Sequence, residues 1–141
     1  MGRILNSLHK QEGLGRRVLV VEDDRTAREA TRRFLQFCGH EVEVAPDPES
    51  ALEAARQVAP DVVVCDCNLE EKLDGIPLAK SIQDRHRSAV IFVTAYPRSA
   101  LEECIHDLWV TDCLRKPISL SDLAESVSGA KRPVPGLTTA S

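Results

Sequence analysis

The chain has 141 residues, 43% of them hydrophobic and only 4% aromatic, with a formal net charge of −4. That is the size of one domain with one core, and the core must be built from Val, Leu, Ile and Ala rather than from rings. Both ends are basic (Arg3, Lys10 and Arg16 against Glu12; Lys131 and Arg132), so the middle is more acidic than the whole, which argues against a nucleic-acid surface and for binding a cation or a basic partner face.

Residues 1–16 read as a loose N-terminal extension, with one helical turn around Ile4, Leu5 and Leu8. Met1-Gly2 has the form of a myristoylation start, but Asn6 stands where Ser or Thr is needed. No signal-like segment follows, and no stretch approaches the roughly 20 apolar residues of a membrane span. A cytoplasmic protein is expected, with no membrane and no direct nucleic-acid partner.

From residue 17 to 129, apolar runs alternate with helical patterns. Val18-Leu19-Val20-Val21 is a short continuous run that ends in Glu22-Asp23-Asp24. A continuous run of this length suits a strand buried on both faces. A helix follows, with Ala27, Ala30, Thr31, Phe34, Leu35 and Cys38 at spacings of three and four, Asp24 placed to cap it and Gly39 to end it. Glu41-Val42-Glu43-Val44 alternates, as a half-exposed edge strand does. Asp47-Pro48 opens a second helix with an N-cap and a proline in the first turn. Val62-Val63-Val64-Cys65 ends in Asp66. A third helix is expected from about Ile76 to Arg85. Val90-Ile91-Phe92-Val93 ends in Thr94. A fourth helix is expected over about Arg98 to Leu108. A last strand near Cys113-Leu114 runs into Lys116-Pro117. The fifth helix starts at Ser119-Leu120-Ser121-Asp122 and buries Leu120, Leu123, Ala124 and Val127. Residues 130–141 read as a flexible tail.

Five βα units predict an α/β fold, a (βα)5 doubly wound parallel sheet with right-handed crossovers. An edge position for the second strand gives the flavodoxin-like order 2-1-3-4-5. In such a sheet, ligands bind beyond the carboxyl ends of the strands where the order reverses. Glu22, Asp23, Asp66, Thr94 and Lys116 all stand at those ends. Clustered carboxylates either take up protons or hold a cation. Oxygen ligands select Mg2+ or Mn2+ over zinc. A carboxylate beside such a metal can attack a phosphoryl group, with Lys116 and the metal sharing the charge. Each residue has a plainer use: Asp24 as a helix cap, a lone Asp as a turn residue, Lys-Pro as a loop start. The ordered set is what points to chemistry. Cys38, Cys65, Cys67, Cys104 and Cys113 form no C-x-x-C pair, and His9, His40, His86 and His106 give them no zinc-ligand spacing. Small buried hydrophobes in a reducing compartment are expected.

Val20-Val21-Glu22-Asp23-Asp24, Pro60 to Asp66, Asp74-Gly75, Val93-Thr94-Ala95 and Lys116-Pro117 together resemble the response-regulator receiver family over residues 17–129. The resemblance implies Asp66 as phospho-acceptor, Asp23 as direct metal carboxylate, Glu22 acting through water, and Asn68 binding the metal by its backbone carbonyl. It implies Thr94 as the switch hydroxyl, Ala95 as the small residue beside it, Lys116 as partner of the phosphoryl oxygens, and Pro117 after a cis bond. It implies a phosphoryl donor that is a histidine kinase or histidine phosphotransfer protein, and a shape change at the fourth helix, fifth strand and fifth helix that alters binding of a downstream protein or a homodimer contact. No enzyme activity beyond self-phosphorylation and dephosphorylation is implied. Met1 and the extension favour a complete, stand-alone receiver. Three departures stand out: Cys113 replaces the usual Tyr or Phe, Trp109-Val110 the usual Gly-Ala, and Leu69-Glu70 the usual Met-Pro, with Glu70-Glu71-Lys72 adding charge. Cys113 is the atypical switch position. Trp109 reads either as core filling or as a modified output or dimer face. Two competing readings remain, a pseudo-receiver interaction module without phosphoryl turnover, and an aspartyl-phosphate hydrolase that would lack a cap domain.

Overall fold

The computed structural model describes residues 15–69 and 73–134. Five strands, β1 (Arg17–Val21), β2 (Glu41–Ala45), β3 (Val62–Asp66), β4 (Ala89–Thr94) and β5 (Val110–Arg115), form one parallel sheet in the order β2-β1-β3-β4-β5. Five helices connect and follow them: α1 (Arg25–Phe37), α2 (Pro48–Val58), α3 (Gly75–His86), α4 (Arg98–Glu102) and α5 (Leu120–Gly129). Sheet and order are those expected from the alternation.

Successive strand residues point to opposite faces, so each strand feeds two core layers. Leu19, Val21, Val63, Cys65, Val90 and Phe92 pack toward α2, α3 and α4, which contribute Ala51, Ala55, Ala79, Ile82 and Leu101. Val18, Val20, Val62, Val64, Ile91 and Val93 pack toward α1 and α5, through Leu35, Leu123 and Val127. β3 and β4 are buried along their whole length, whereas β2 alternates exposed and covered residues as an edge strand must.

The local signals at helix starts act as capping chemistry requires. Asp24 accepts the Ala27 N–H at 2.8 Å, and Ser119 accepts from Asp122 N–H at 3.2 Å. Asp47 accepts the Ser50 N–H at 2.7 Å just before Pro48. An Asp47→Ala substitution leaves that amide to water and is expected to lower stability by about 1 kcal/mol. Denaturant unfolding checks this as a fall in midpoint at unchanged slope. Gly39 ends α1 at φ 103, a left-handed conformation that favours glycine.

Three expectations are corrected. The fourth helix stops at Glu102 instead of reaching Leu108. Glu102 and Glu103 place negative charge at its carboxyl end, where the helix dipole disfavours it, and Cys104-Ile105-His106-Asp107 are weak helix formers. Leu101 and Leu108 still reach the core, by way of an irregular segment. Second, Cys38 and Cys104 are exposed and Cys113 is half-buried, so only Cys65 and Cys67 are core thiols. Third, α1 buries Thr31 and Leu35 fully, covers Ala27 and Phe34 in part, and leaves Ala30 exposed. Its helical spacing marks a face, but the sheet below covers only the centre of it.

β5 carries an irregularity of its own. Val90 pairs with Val110 and Ile91 with Asp112, so Thr111 is an extra residue and its buried hydroxyl has no hydrogen-bond partner among the described residues. Just before it, the Gln83 side chain grips the backbone of Trp109. Its amide donates to Trp109 O at 2.8 Å and accepts from Trp109 N at 2.9 Å. The Trp109-Val110 junction is thus fastened by a side chain of α3. Beyond α5, Ala130 is fully buried and Arg132 donates to the carbonyls of His86 and Arg87 at 2.8 and 3.1 Å, serving orphan acceptors at the end of α3. The readings of residues 1–14, 70–72 and 135–141 lie outside the described residues.

Candidate functional site

β1 and β3 are neighbours, with β2 on one side and β4 on the other, so strand order reverses between them. The chain leaves β1 through Glu22 and β3 through Asp66, at the carboxyl edge of that crevice. Glu22 and Asp66 are buried and Asp23 is exposed. One oxygen from each of the three carboxylates lies within 4.8 Å of the others. Three like charges this close are stable only with neutralisation.

Lys116, just past β5, supplies part of it. Its Nζ donates to Asp66 Oδ2 at 2.8 Å and lies 3.4 Å from Glu22 Oε1. Burial alone would lower the ammonium's affinity for its proton, but the two carboxylates outweigh that and raise it, so Lys116 stays charged. Burial raises the Glu22 carboxyl above its ordinary range, the Asp24 N–H opposes this at 3.0 Å, and the charge of Asp66 adds to the rise. The Asn68 N–H donates to Asp66 Oδ1 at 3.0 Å, which fixes the Asp66 carboxylate from the other side. The peptide between Lys116 and Pro117 is cis.

Thr94 ends β4 with its side chain buried. Its hydroxyl oxygen accepts the Tyr96 N–H at 3.0 Å, and its carbonyl accepts the Lys116 N–H at 2.8 Å. Ala95 is exposed, and its carbonyl accepts from Arg115 Nε at 3.1 Å. Cys113 pairs with Phe92 in register and packs against the layer that holds Cys67 and Leu101. Topology therefore gathers Glu22, Asp23, Asp66, Asn68, Thr94 and Lys116 at one edge. Asp24 is spent on capping α1.

The donor set fits a hard divalent cation: carboxylate oxygens of one buried and one exposed acid beside Asp66, with no thiol or imidazole within the cluster. An Asp23→Asn substitution removes one of the three like charges. It is expected to raise stability without metal by about 0.5–1 kcal/mol, the modest value fitting an exposed group, while weakening Mg2+ binding at least about tenfold. Denaturant unfolding and a Mg2+ titration read the two opposite effects.

Two further residues hold the site in place. Arg28 on α1 donates to the carbonyls of Glu22 at 3.0 Å and Asp23 at 3.3 Å, holding the acidic turn. Asp74 accepts the Leu69 N–H at 2.7 Å and ties the loop after β3. The Asp74-Gly75 motif flags the second; nothing in helical periodicity flags the first.

A parallel sheet of order β2-β1-β3-β4-β5, with acids and an ammonium at its switch point, is a flavodoxin-like doubly wound domain. The response regulator receiver domain family matches residues 18–128, and the chain belongs to that family. It is 36% identical over 108 residues to the response regulator MprA of Mycolicibacterium vanbaalenii, covering 76% of this chain and 46% of that protein. With MprA of Mycobacterium leprae it shares 33% over 117 residues, 82% of this chain and 51% of that one. The chain thus spans about half the length of these curated relatives. Among solved structures, it superposes on the signal receiver domain of a modulated diguanylate cyclase from Desulfovibrio desulfuricans with TM-score 0.71 and 27% identity, covering 82% and 93% of the two chains. A CheY-like receiver domain protein from Methanospirillum hungatei gives 0.69 and 25%, covering 80% and 90%. Among the described residues no helix is long and apolar enough to cross a membrane.

Proposed function

We propose that this chain is a cytoplasmic receiver that accepts a phosphoryl group on Asp66 from a histidine kinase or a histidine phosphotransfer protein. The observation that carries the reading is the pairing of buried Asp66 with Lys116 at 2.8 Å inside a three-carboxylate cluster. An Asp66 oxygen attacks phosphorus, the phosphorus–nitrogen bond of the donor breaks, and its electron pair returns to the imidazole, which takes a proton from solvent. Lys116 then pairs with phosphoryl oxygens, its ammonium already in place and charged.

Asp23, the Asp66 carboxylate and the Asn68 backbone carbonyl would hold Mg2+ or Mn2+, with Glu22 acting through water. The cation, when bound, neutralises phosphoryl oxygens as charge shifts during transfer. Thr94 serves as the hydroxyl that turns toward the phosphoryl group, and Ala95 leaves room beside it. The consequence reaches α4, β5 and α5, where a downstream protein or a second copy binds. Cys113 makes this face switch without a rotating ring. Beyond forming and hydrolysing its own acyl phosphate, the protein catalyses nothing.

The test is incubation of the full chain with phosphoramidate and Mg2+, followed by intact mass and hydroxylamine treatment. One hydroxylamine-labile phosphoryl group per chain is expected. Mg2+ binding with no adduct overturns the acceptor reading in favour of a pseudo-receiver that only binds partners.

A further inference from the structure

A cavity of about 520 Å3 lies between α1, α5 and the sheet, large enough for a ligand with one ring. On this side α1 presents Ala27 and Ala30, short side chains that leave the space toward α5 unfilled. Val20, Val64 and Val93 form the floor, and Leu123 stands on the α5 side. Glu22, Asp24 and Asp66 line the cavity against one ammonium, that of Lys116, so its charge favours a cation. Lys116 already engages Glu22 and Asp66, which belong to the carboxylate cluster, whereas Asp24 lies outside that cluster. One Asp24 oxygen caps α1 at Ala27, and the other has no hydrogen bond among the described residues.

Thr31 is the second polar group on the α1 wall. It is only 8% exposed, and its hydroxyl has no hydrogen-bond partner among the described residues. A buried hydroxyl costs stability until something pairs with it. Asp24, Ala27 and Thr31 are spaced as one face of α1, with Asp24 and Thr31 about 10 Å apart along its axis. The wall thus runs from a free carboxylate oxygen, over an apolar floor, to an unpaired hydroxyl.

We propose that this cavity binds a small aromatic amine with a second polar group at the far end of its ring. The ammonium pairs with Asp24, the ring lies on the valines and Leu123, and the far polar group pairs with the Thr31 hydroxyl. A phenethylamine frame with a para substituent spans the wall, less the reach of the two side chains. The domain then takes a small-molecule input beside the carboxylate cluster, without displacing a cation held there.

The probes are tyramine and phenethylamine, titrated into the full chain in excess Mg2+ and followed by calorimetry and by the Ala30, Thr31 and Leu123 amide signals. Tyramine is expected to bind with a Kd below about 1 mM and about three- to tenfold tighter than phenethylamine, the worth of one neutral hydrogen bond. Thr31→Val keeps the shape and removes a hydroxyl that has no partner to lose. It should abolish the advantage of tyramine and leave phenethylamine unchanged. Asp24→Asn still caps α1 and should weaken both amines about two- to fivefold. Equal affinity of the two amines in the wild-type chain, or an advantage of tyramine that survives Thr31→Val, would overturn the proposal. So would an Asp24→Asn chain that binds both as the wild type does. Binding that disappears when Mg2+ is added would place the amine among Glu22, Asp23 and Asp66 and not in the cavity. No binding of either amine would leave the cavity to a side chain of a partner protein, and the proposal would fall.

Discussion

An Asp66→Asn chain incubated with phosphoramidate and Mg2+ is expected to form no acyl phosphate, a loss of at least about a thousandfold in the rate of labelling. The amide oxygen is a weak nucleophile, and nothing in the pocket activates it. The fold should persist. Asn keeps the size of Asp, its oxygen still accepts from the Lys116 ammonium, and the strand below is anchored by Val62 to Cys65, all fully or almost fully buried. Intact mass before and after hydroxylamine, with circular dichroism as the folding control, reads the result. Persisting hydroxylamine-labile phosphate would move the acceptor to Glu22 or Asp23, whose oxygens lie within 4.8 Å of the same cluster.

Gly75→Ala should damage stability and labelling together. Gly75 opens α3, and its N–H donates to Cys67 O at 2.8 Å. A Cβ there would sit 2.0 Å from the carbonyl oxygen of Asp66 and 3.0 Å from both its carbonyl carbon and Cys67 Cα. All three are backbone atoms at the end of a buried strand and cannot rotate aside. Either α3 lifts from the sheet or the end of β3 shifts. The first costs packing of Ile76, Leu78 and Ala79; the second moves the Asp66 carboxylate away from Lys116. Overpacking of this kind costs about 1–3 kcal/mol, and the backbone clash places the variant at the upper end. A displacement of about 1 Å at the nucleophile lowers the labelling rate on the order of a hundredfold. Denaturant unfolding and phosphoramidate kinetics measure the two effects. A variant with wild-type values in both would show that the loop after β3 can yield without moving Asp66. The glycine is required here by close approach, since its backbone lies outside the left-handed region.

Both predictions concern the same few ångströms of backbone, and they differ in how visible their cause is before folding. Asp66 is conspicuous because a buried strand of valines ends in a charge. Gly75 stands in a recognisable Asp-Gly pair, but what it must avoid, a carbonyl nine residues earlier, is set only when α3 docks against β3.

The sequence by itself determined the architecture and most of the candidate site. Continuous β-branched runs require two covered faces, and alternating helices supply them, so the parallel sheet and its order follow from pattern alone. Because such a sheet has its crevice at the carboxyl ends of its strands, Glu22, Asp23, Asp66, Thr94 and Lys116 could be assembled from their positions at run ends. The caps at Asp24, Asp47 and Ser119 are local chemistry and were equally legible. What only the tertiary structure decided depends on contacts distant in the chain. The helical spacing from Arg98 to Leu108 could not say that the helix ends at Glu102, since Leu108 reaches the core without helical geometry. Apolar neighbours could not say that Cys38 and Cys104 face solvent, since burial depends on which part of a face the sheet covers. The grip of Gln83 on Trp109 and the hold of Arg28 on the acidic turn are absent from any local pattern. Each joins groups on different elements, and periodicity carries information only about one element at a time.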